Sequence, residues 1–385
     1  MFPQVTTLRP IGLDKGRLIR QLEATGLDAG VVCSPEGVYY LTGYPTLPTS
    51  GNPILYSLRN VFPYGVVLEG DGTRHLICWG FSLEGVDVDV EHVHVFNDRG
   101  EALSAFEQVL VEALSRRSAA QAATVGLEES APFAITEIVR RLPDTVPVPL
   151  DPLMLSLRRV KSRKEVAALQ KSVAVAEGAL QRVLESLRVT GSRLEAIRLA
   201  KVAVLELGGD GVGHVTMSFG DANPEIATDE FLHEGALVVV DVGAKVAGYT
   251  SDCRRYAFAG PVPEVVRSRH AATCSVVDAV ADALMPGVPF AQLTRLAEEL
   301  FRDAGLQLLG RFTHVGHGIG LETEEEWIDG DEARYVEEDM VVAIELYTDV
   351  APYGTIGDEE TYVVRADGAH RLSLIERHIR QIATT

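Results

Sequence analysis

An α/β domain followed by an α+β domain is the fold class this sequence predicts, and three observations carry the prediction. The 385 residues exceed the usual size of one domain. Helical and strand-like stretches alternate up to about residue 155, after which long capped helices come in pairs and strands in hairpins. The two patterns meet near DPLMLSLRRVKSRKE, where two prolines and a switch to strongly helical periodicity coincide. Residues 1–155 are therefore taken as the first domain and 156–385 as the second.

In the first domain, residues 14–26 carry Leu18, Ile19 and Leu22 on one helical face and stop at a glycine, and LDAGVVC follows as a buried strand. GVVLEG, RHLICWG and VDVDVEHVHVF read as further strands, with helices near 101–116 and 132–142. From Val86 to Val95 the valines hold one face until the phase slips at about Glu91, which predicts an edge strand with a bulge. His92 and His94 then sit on its solvent face, outside any site.

In the second domain, Ser162 with Glu165 forms a capping-box sequence that opens a long helix, and Ser192 with Glu195 opens another. VTMSFG and ALVVVDVGAKVAGYTSDCRRYAFAG read as strands, followed by helices near 262–284 and 289–304 and a last set of strands. The sequence holds no low-complexity tract and no short-period repeat.

An apolar share of 46% with 23% charged residues belongs to an ordinary globular protein. The net charge of −20 would repel a nucleic-acid backbone or an anionic membrane, so the partners expected are small or cationic. Cys33, Cys78, Cys253 and Cys274 are far apart with no CxxC pair, which fits a reducing cytoplasm. Neither a signal-peptide pattern at the N-terminus nor an 18-residue apolar window is present.

Chemistry concentrates in the second domain. Asp241 and Asp252 lie eleven residues apart on two apolar strands joined by a Gly-containing turn, so a hairpin brings them side by side. An Asp within LVVVDVG is costly to bury as a free anion and predicts a metal or a cationic partner. THVGHGIGLETEEE places His317 among glycines, where backbone can approach an ion; MVVAIELYTDV sets Glu345 in an apolar strand, and Glu359 follows fourteen residues later at hairpin range. One His and four carboxylates make a hard, oxygen-rich set suited to Mn²⁺, Co²⁺ or Zn²⁺. Their formal charge near −4 would be balanced by two divalent ions.

In this order and spacing the motifs resemble the pita-bread metallopeptidase family that includes prolidase, aminopeptidase P and methionine aminopeptidase. The resemblance covers nearly the whole chain: a creatinase-like N-terminal domain, the linker LRRVKSRKEV, then DVG, YTSD, GHGIGL, IEL and EET. It implies that Asp241, Asp252, His317, Glu345 and Glu359 hold two metals. It also implies hydrolysis of a peptide bond by two ions about 3.5–4 Å apart acting on a shared water, with Glu345 taking the proton. Homodimers are common among such relatives.

Three family histidines are missing. The position seven residues after the GHG histidine is Glu324; the Pro-His position upstream falls near Pro224 or Glu225; the position four before the GHG histidine is Thr313, with His314 displaced by one. An ionised Glu324 can only accept hydrogen bonds, so an oxyanion donor must come from elsewhere unless Glu324 stays protonated. Arg254 stands where the family usually has a Thr, before Arg255, and strand alternation turns it to the face of Asp252. It is expected either to bind a substrate carboxylate or to pair with Glu324. His214 could line the cleft but is read as structural, and His233 as a turn residue.

The activity expected is exopeptidase action on short peptides, either Xaa-Pro dipeptidase- or aminopeptidase-like or a carboxypeptidase variant that reads the substrate's C-terminal carboxylate. A non-peptidase amide hydrolase and a catalytically silent peptide-binding module on the same fold are the alternatives.

Overall fold

Apolar alternation and helix caps set the elements of both halves of this computed structural model, which describes residues 6–116, 122–308 and 314–384. The chain divides into two compact units, Met1–Arg158 and Arg159–Thr385.

The first unit runs β1 (Thr6–Leu8), α1 (Lys15–Thr25), β2 (Ala29–Val32), α2 (Pro35–Thr42), α3 (Ile54–Leu58), β3 (Gly65–Glu69), β4 (Arg74–Trp79), β5 (Val86–Val88) and β6 (His92–Phe96). It continues with α4 (Arg99–Ser115), β7 (Ala123–Leu127), α5 (Phe133–Arg141), β8 (Thr145–Pro149) and α6 (Asp151–Arg159). Asp14 caps α1 by accepting from the Arg17 N–H. A mixed sheet in the order β6-β4-β3-β2-β7-β8 buries Val31, Val67, Ile77 and Val125 against Phe106, Val109 and Leu110 of α4 and Ile135 and Val139 of α5.

The bulge expected near Glu91 is a complete break. β5 pairs with β1 in a separate two-stranded sheet, while β6 pairs with β4 at the edge of the large one. Glu91 is the physical cause: its carboxylate accepts from the backbone N–H, Nε and Nη2 of the fully buried Arg74 at 3.0, 3.0 and 3.1 Å. His92 is exposed as expected, but His94 is partly buried, with Nε2 3.1 Å from Nδ1 of His75.

The second unit runs α7 (Arg163–Ser186), α8 (Arg193–Glu206), β9 (Gly211–Phe219), β10 (Leu237–Val246), β11 (Tyr249–Thr250), β12 (Arg254–Ala259), α9 (Glu264–Asp282) and α10 (Phe290–Asp303). Then follow β13 (His314–Gly318), β14 (Glu326–Asp329), β15 (Val341–Asp349), β16 (Thr355–Arg365), β17 (Gly368–Arg371) and β18 (Arg380–Ile382). Ser162 and Glu165 form the reciprocal capping box that starts α7. In one sheet β10 lies between β9 and the β11/β12 segment, with β18 outside β12; the other is ordered β14-β13-β15-β16-β17.

Alternation on β15 decides which residues face the core. Val342, Ile344 and Leu346 pack with Val276 and Val280 of α9 and Phe290, Leu293 and Phe301 of α10, leaving Ala343, Glu345 and Tyr347 on the opposite face. Each such side chain contributes roughly 1.5–3 kcal/mol, so a one-residue slip that drove Glu345 into the core would be prohibitive. The acidic run on β16 obeys the same rule. Glu359 is the cross-strand partner of Glu345, whereas Asp358 and Glu360 face the back and are neutralised by Arg377 at 2.9 Å and Arg255 at 2.8 Å. Arg255 also donates to the Glu359 carbonyl at 3.3 Å, and the Thr361 hydroxyl donates to the Asp252 carbonyl at 3.3 Å, tying β12 to β16.

Candidate metal centre

Two cross-strand rows build one side of the site. Asp241 on β10 stands between Thr216 of β9 and Arg254 of β12, and Gly243 stands opposite His214 of β9. Extending the β10–β12 register brings Asp252 beside Gly243, so Asp241 and Asp252 are diagonal neighbours on one face rather than directly opposed. A Cβ on Gly243 would lie 2.5 Å from His214 Nδ1 and 2.7 Å from the Ser251 carbonyl. Glycine therefore makes the room in which the imidazole lies across the strand.

The other side comes from the second sheet. His317 on β13 pairs with Ala343, next along the face to Glu345. Gly316 permits that approach, because a Cβ there would meet the Ala343 carbonyl at 2.0 Å. Asp241, Asp252, His317 and Glu359 are buried, and Glu345 is partly so.

Asp252, His317 and Glu359 each offer a ligand atom within 4.8 Å of the others, and so do His214, Asp241 and Asp252. His317 Nε2 lies 3.7 Å from Asp252 Oδ2 and 3.9 Å from Glu345 Oε1. The Tyr347 hydroxyl donates to Glu345 Oε2 at 2.7 Å and lies 3.2 Å from Glu359 Oε2. Glu359 Oε1 is buried and accepts no hydrogen bond among the described residues. An unsatisfied carboxylate oxygen beside Asp252 and His317 fits a hard divalent cation in chemistry and in charge.

Electrostatics separate the carboxylates. Burial pushes the Asp241 carboxyl up, but Arg254 and His214 outweigh it and hold it below the usual range. Burial also opposes ionisation of Glu345, yet the His314 imidazole beside it and the charges of His317 and Arg254 bring it down to about 2. Glu359 moves the other way, raised by burial and by the charges of Asp252 and Asp241. The cluster holds more negative charge than its own cations satisfy.

Several sequence expectations need correction. Arg254 does not pair with Glu324: its Nε and Nη2 donate to Asp241 Oδ2 at 3.0 and 2.6 Å, and its guanidinium lies 4.5 Å from the Tyr347 ring centroid. Glu324 is exposed and makes no hydrogen bond or ion pair among the described residues, so it offers nothing to the centre. The neighbouring Glu325 is the buried one, paired with Lys161 at 2.8 Å. His214 is part of the cluster, 3.1 Å from Asp241 Oδ1 and 3.2 Å from Asp252 Oδ1. His314 also joins it, with Nε2 3.4 Å from Glu345 Oε1, because a register irregularity between His314 and His317 turns it to that face. Two imidazoles thus enter from positions other than the family's. Thr313 lies outside the described residues. Exposed His233 is a turn residue, its Nδ1 3.0 Å from the Glu234 carbonyl.

The family model for Metallopeptidase family M24 matches residues 167–366, more than half of the chain, and that for the Creatinase/Prolidase N-terminal domain matches residues 16–160. The chain belongs to metallopeptidase family M24. As an M24 member it has the creatinase-type N-terminal domain and the pita-bread catalytic domain that the sequence predicted, and it is a metal-dependent exopeptidase. The non-peptidase and silent-module alternatives are not favoured. An Xaa-Pro dipeptidase of Pyrococcus horikoshii is 23% identical over 375 residues, covering 94% of this chain and 97% of the relative. Among solved structures, the P. horikoshii prolidase superposes with a TM-score of 0.77 at 20% identity, covering 95% and 99% of the two chains. The dipeptidase PepE of Mycobacterium ulcerans gives 0.78 at 24% identity, covering 96% and 99%. At such identities the structural likeness speaks for the fold. No helix among the described residues is long and apolar enough to cross a membrane.

Proposed function

We propose that this M24 protein is a dipeptidase that hydrolyses short peptides at a divalent-metal centre held by Asp252, His317, Glu345 and Glu359, with Asp241 beside them. The observation that carries the reading is the buried convergence of Asp252, His317 and Glu359, with Glu359 Oε1 left without a hydrogen bond. Mn²⁺, Co²⁺ and Zn²⁺ suit this donor set. These residues would hold a divalent ion, which would supply Lewis-acid polarisation of the scissile carbonyl and a lowered pKa of the attacking water.

The protein's own groups do the rest. Glu345, ionised at neutral pH and oriented by the Tyr347 hydroxyl, takes the proton from the water. His314, beside Glu345, donates to the oxygen that gains charge, the part the sequence reading left to Glu324 or another residue. Dipeptides with proline in second position are the first substrates to try, because relatives are named Xaa-Pro dipeptidase. The carboxypeptidase variant is less well supported, since two donor nitrogens of Arg254 are engaged by Asp241.

A panel of Xaa-Pro and other free dipeptides, with N-acetylated, C-amidated and longer peptides, assayed with each metal, tests the proposal. Cleavage of free dipeptides is expected. Release of C-terminal residues from long N-acetylated peptides would instead mark a carboxypeptidase, and no cleavage with any metal would overturn the reading. Placement in the cytoplasm, consistent with four free cysteines, and homodimer assembly, carried by family resemblance alone, complete the proposal. Fractionation and light scattering check them.

A further inference from the structure

We infer that Arg254 and His214 occupy the part of the carboxylate cluster that a second ion would need, so that the centre binds one divalent ion per chain. The inference rests on the proposed metal-dependent peptidase reading and concerns only how many ions the protein's residues admit.

Asp241 is the deciding residue. Its Oδ1 lies 3.1 Å from His214 Nε2, and its Oδ2 accepts from Arg254 Nε and Nη2 at 3.0 and 2.6 Å. Both oxygens are engaged by side chains of the protein. An ion on Asp241 would sit about 2.0–2.2 Å from one of these oxygens, within a few ångströms of a guanidinium that cannot lose its proton. Like charges at that separation weaken binding by roughly a hundredfold or more in a partly buried setting.

Arg254 is not placed to leave. Its guanidinium lies against the Tyr347 ring at 4.5 Å, and its Nε is also 3.6 Å from Glu359 Oε2. His214 is held by backbone, since its place exists only because residue 243 is glycine. Charge permits the single ion: with Arg254 in the cluster, one divalent ion leaves the four carboxylates at a formal −1, within one unit of neutrality. What remains for the single ion is Asp252 Oδ2, His317 Nε2, Glu345 Oε1 and Glu359 Oε1, with His317 3.7 and 3.9 Å from the first and third of these oxygens. These N and O donors suit one hard divalent ion that still has a position open for water.

The test is a binding stoichiometry. Full-length protein stripped with chelator is titrated with Co²⁺, followed by visible absorption and isothermal titration calorimetry, and ions per chain are counted by mass spectrometry after gel filtration. Wild type is expected to saturate at one ion. Arg254→Thr is expected to gain a second site, with affinity for the second ion increased by roughly a hundredfold or more. Two tight ions in wild type would overturn the inference, and that count needs no variant to fold. A folded Arg254→Thr that still binds only one ion would also overturn the role given to Arg254. Wild type that binds two ions and cleaves dipeptides sinks the one-ion inference alone; one ion with no cleavage sinks the peptidase reading alone; no binding sinks both.

Discussion

Tyr347 has one hydroxyl in reach of two carboxylates whose acidities diverge, Glu345 brought down to about 2 and Glu359 raised. Its ring meanwhile supports the Arg254 guanidinium. Tyr347→Phe keeps the ring and deletes only the donor. A hydrogen bond to a charged group is worth about 1.5–3 kcal/mol, so kcat is expected to fall roughly 10- to 100-fold with KM little changed. Unchanged kcat in the folded variant would remove Tyr347 from the proton-handling group. Gly243→Ala tests the neighbouring constraint: its Cβ would overlap the His214 ring and the Ser251 carbonyl, a cost of about 1–3 kcal/mol in thermal denaturation. A variant as stable as wild type would show that His214 has other room. At this scale the sequence singled out five acidic and imidazole positions, because each stands out against an apolar strand or among glycines. It did not reveal His214 or His314. One needed the register of β9 on β10, the other an irregularity in β13, and both are set by partners distant in sequence. A signal for His214 was present nonetheless: it alternates with Thr216 beside a strand whose only side-chain-free position on the Asp241 face is Gly243.

Elements were legible where their determinants are local. The capping box of Ser162 and Glu165 fixes the start of α7 within four residues, and Gly26 ends α1 in a left-handed conformation at φ 66°. The break between β5 and β6 was read as a bulge because Arg74, which pulls Glu91 out of line, lies on a strand 17 residues away. Long-range ion pairs also hold the entrance to the second unit. Lys161 and Glu325 are both buried, their side chains only 2% exposed, so removing one partner strands the other charge. Glu325→Ala is expected to cost about 3–5 kcal/mol, while a Lys161→Met, Glu325→Leu double variant recovers most of that loss in urea denaturation. Equal losses in both variants would show that Glu325 acts through the Leu321 N–H it also accepts from, rather than through the ion pair. On α9, burial, then Arg255 and Arg377, lowers the pKa of His270 to about 4. The unfolded chain binds its proton near pH 6.5 and the folded one only near 4. In that interval the unfolded state holds more protons, so stability is complete above about 6.5 and falls as pH drops, by about 2–3 kcal/mol at pH 4. His270→Gln should flatten this part of the stability–pH curve. An unchanged slope would assign it to other groups.

The whole molecule divides its labour unequally. All the residues proposed to hold metal belong to the unit Arg159–Thr385, and none lies in Met1–Arg158. Metal removal should therefore act on one unit. Without a cation, the second unit must fold with Asp252, Glu345 and Glu359 converging and, among the described residues, Arg254, His214, His314 and His317 near them. An ion that binds the folded state alone stabilises it by about 4 kcal/mol when present at roughly a thousand times its Kd. In a domain of this size each kcal/mol moves Tm by about 2–4 °C, so chelation should lower the transition of the second unit by roughly 8–16 °C. Differential scanning calorimetry of the full chain, with and without chelator, reads this directly. The component belonging to the second unit is expected to shift while the other stays in place, and Glu359→Gln should shrink the shift by weakening the ion's hold. An endotherm that chelator leaves unmoved in metal-loaded protein would mean that the carboxylate cluster is stabilised from within, and the metal centre proposed for it would be lost.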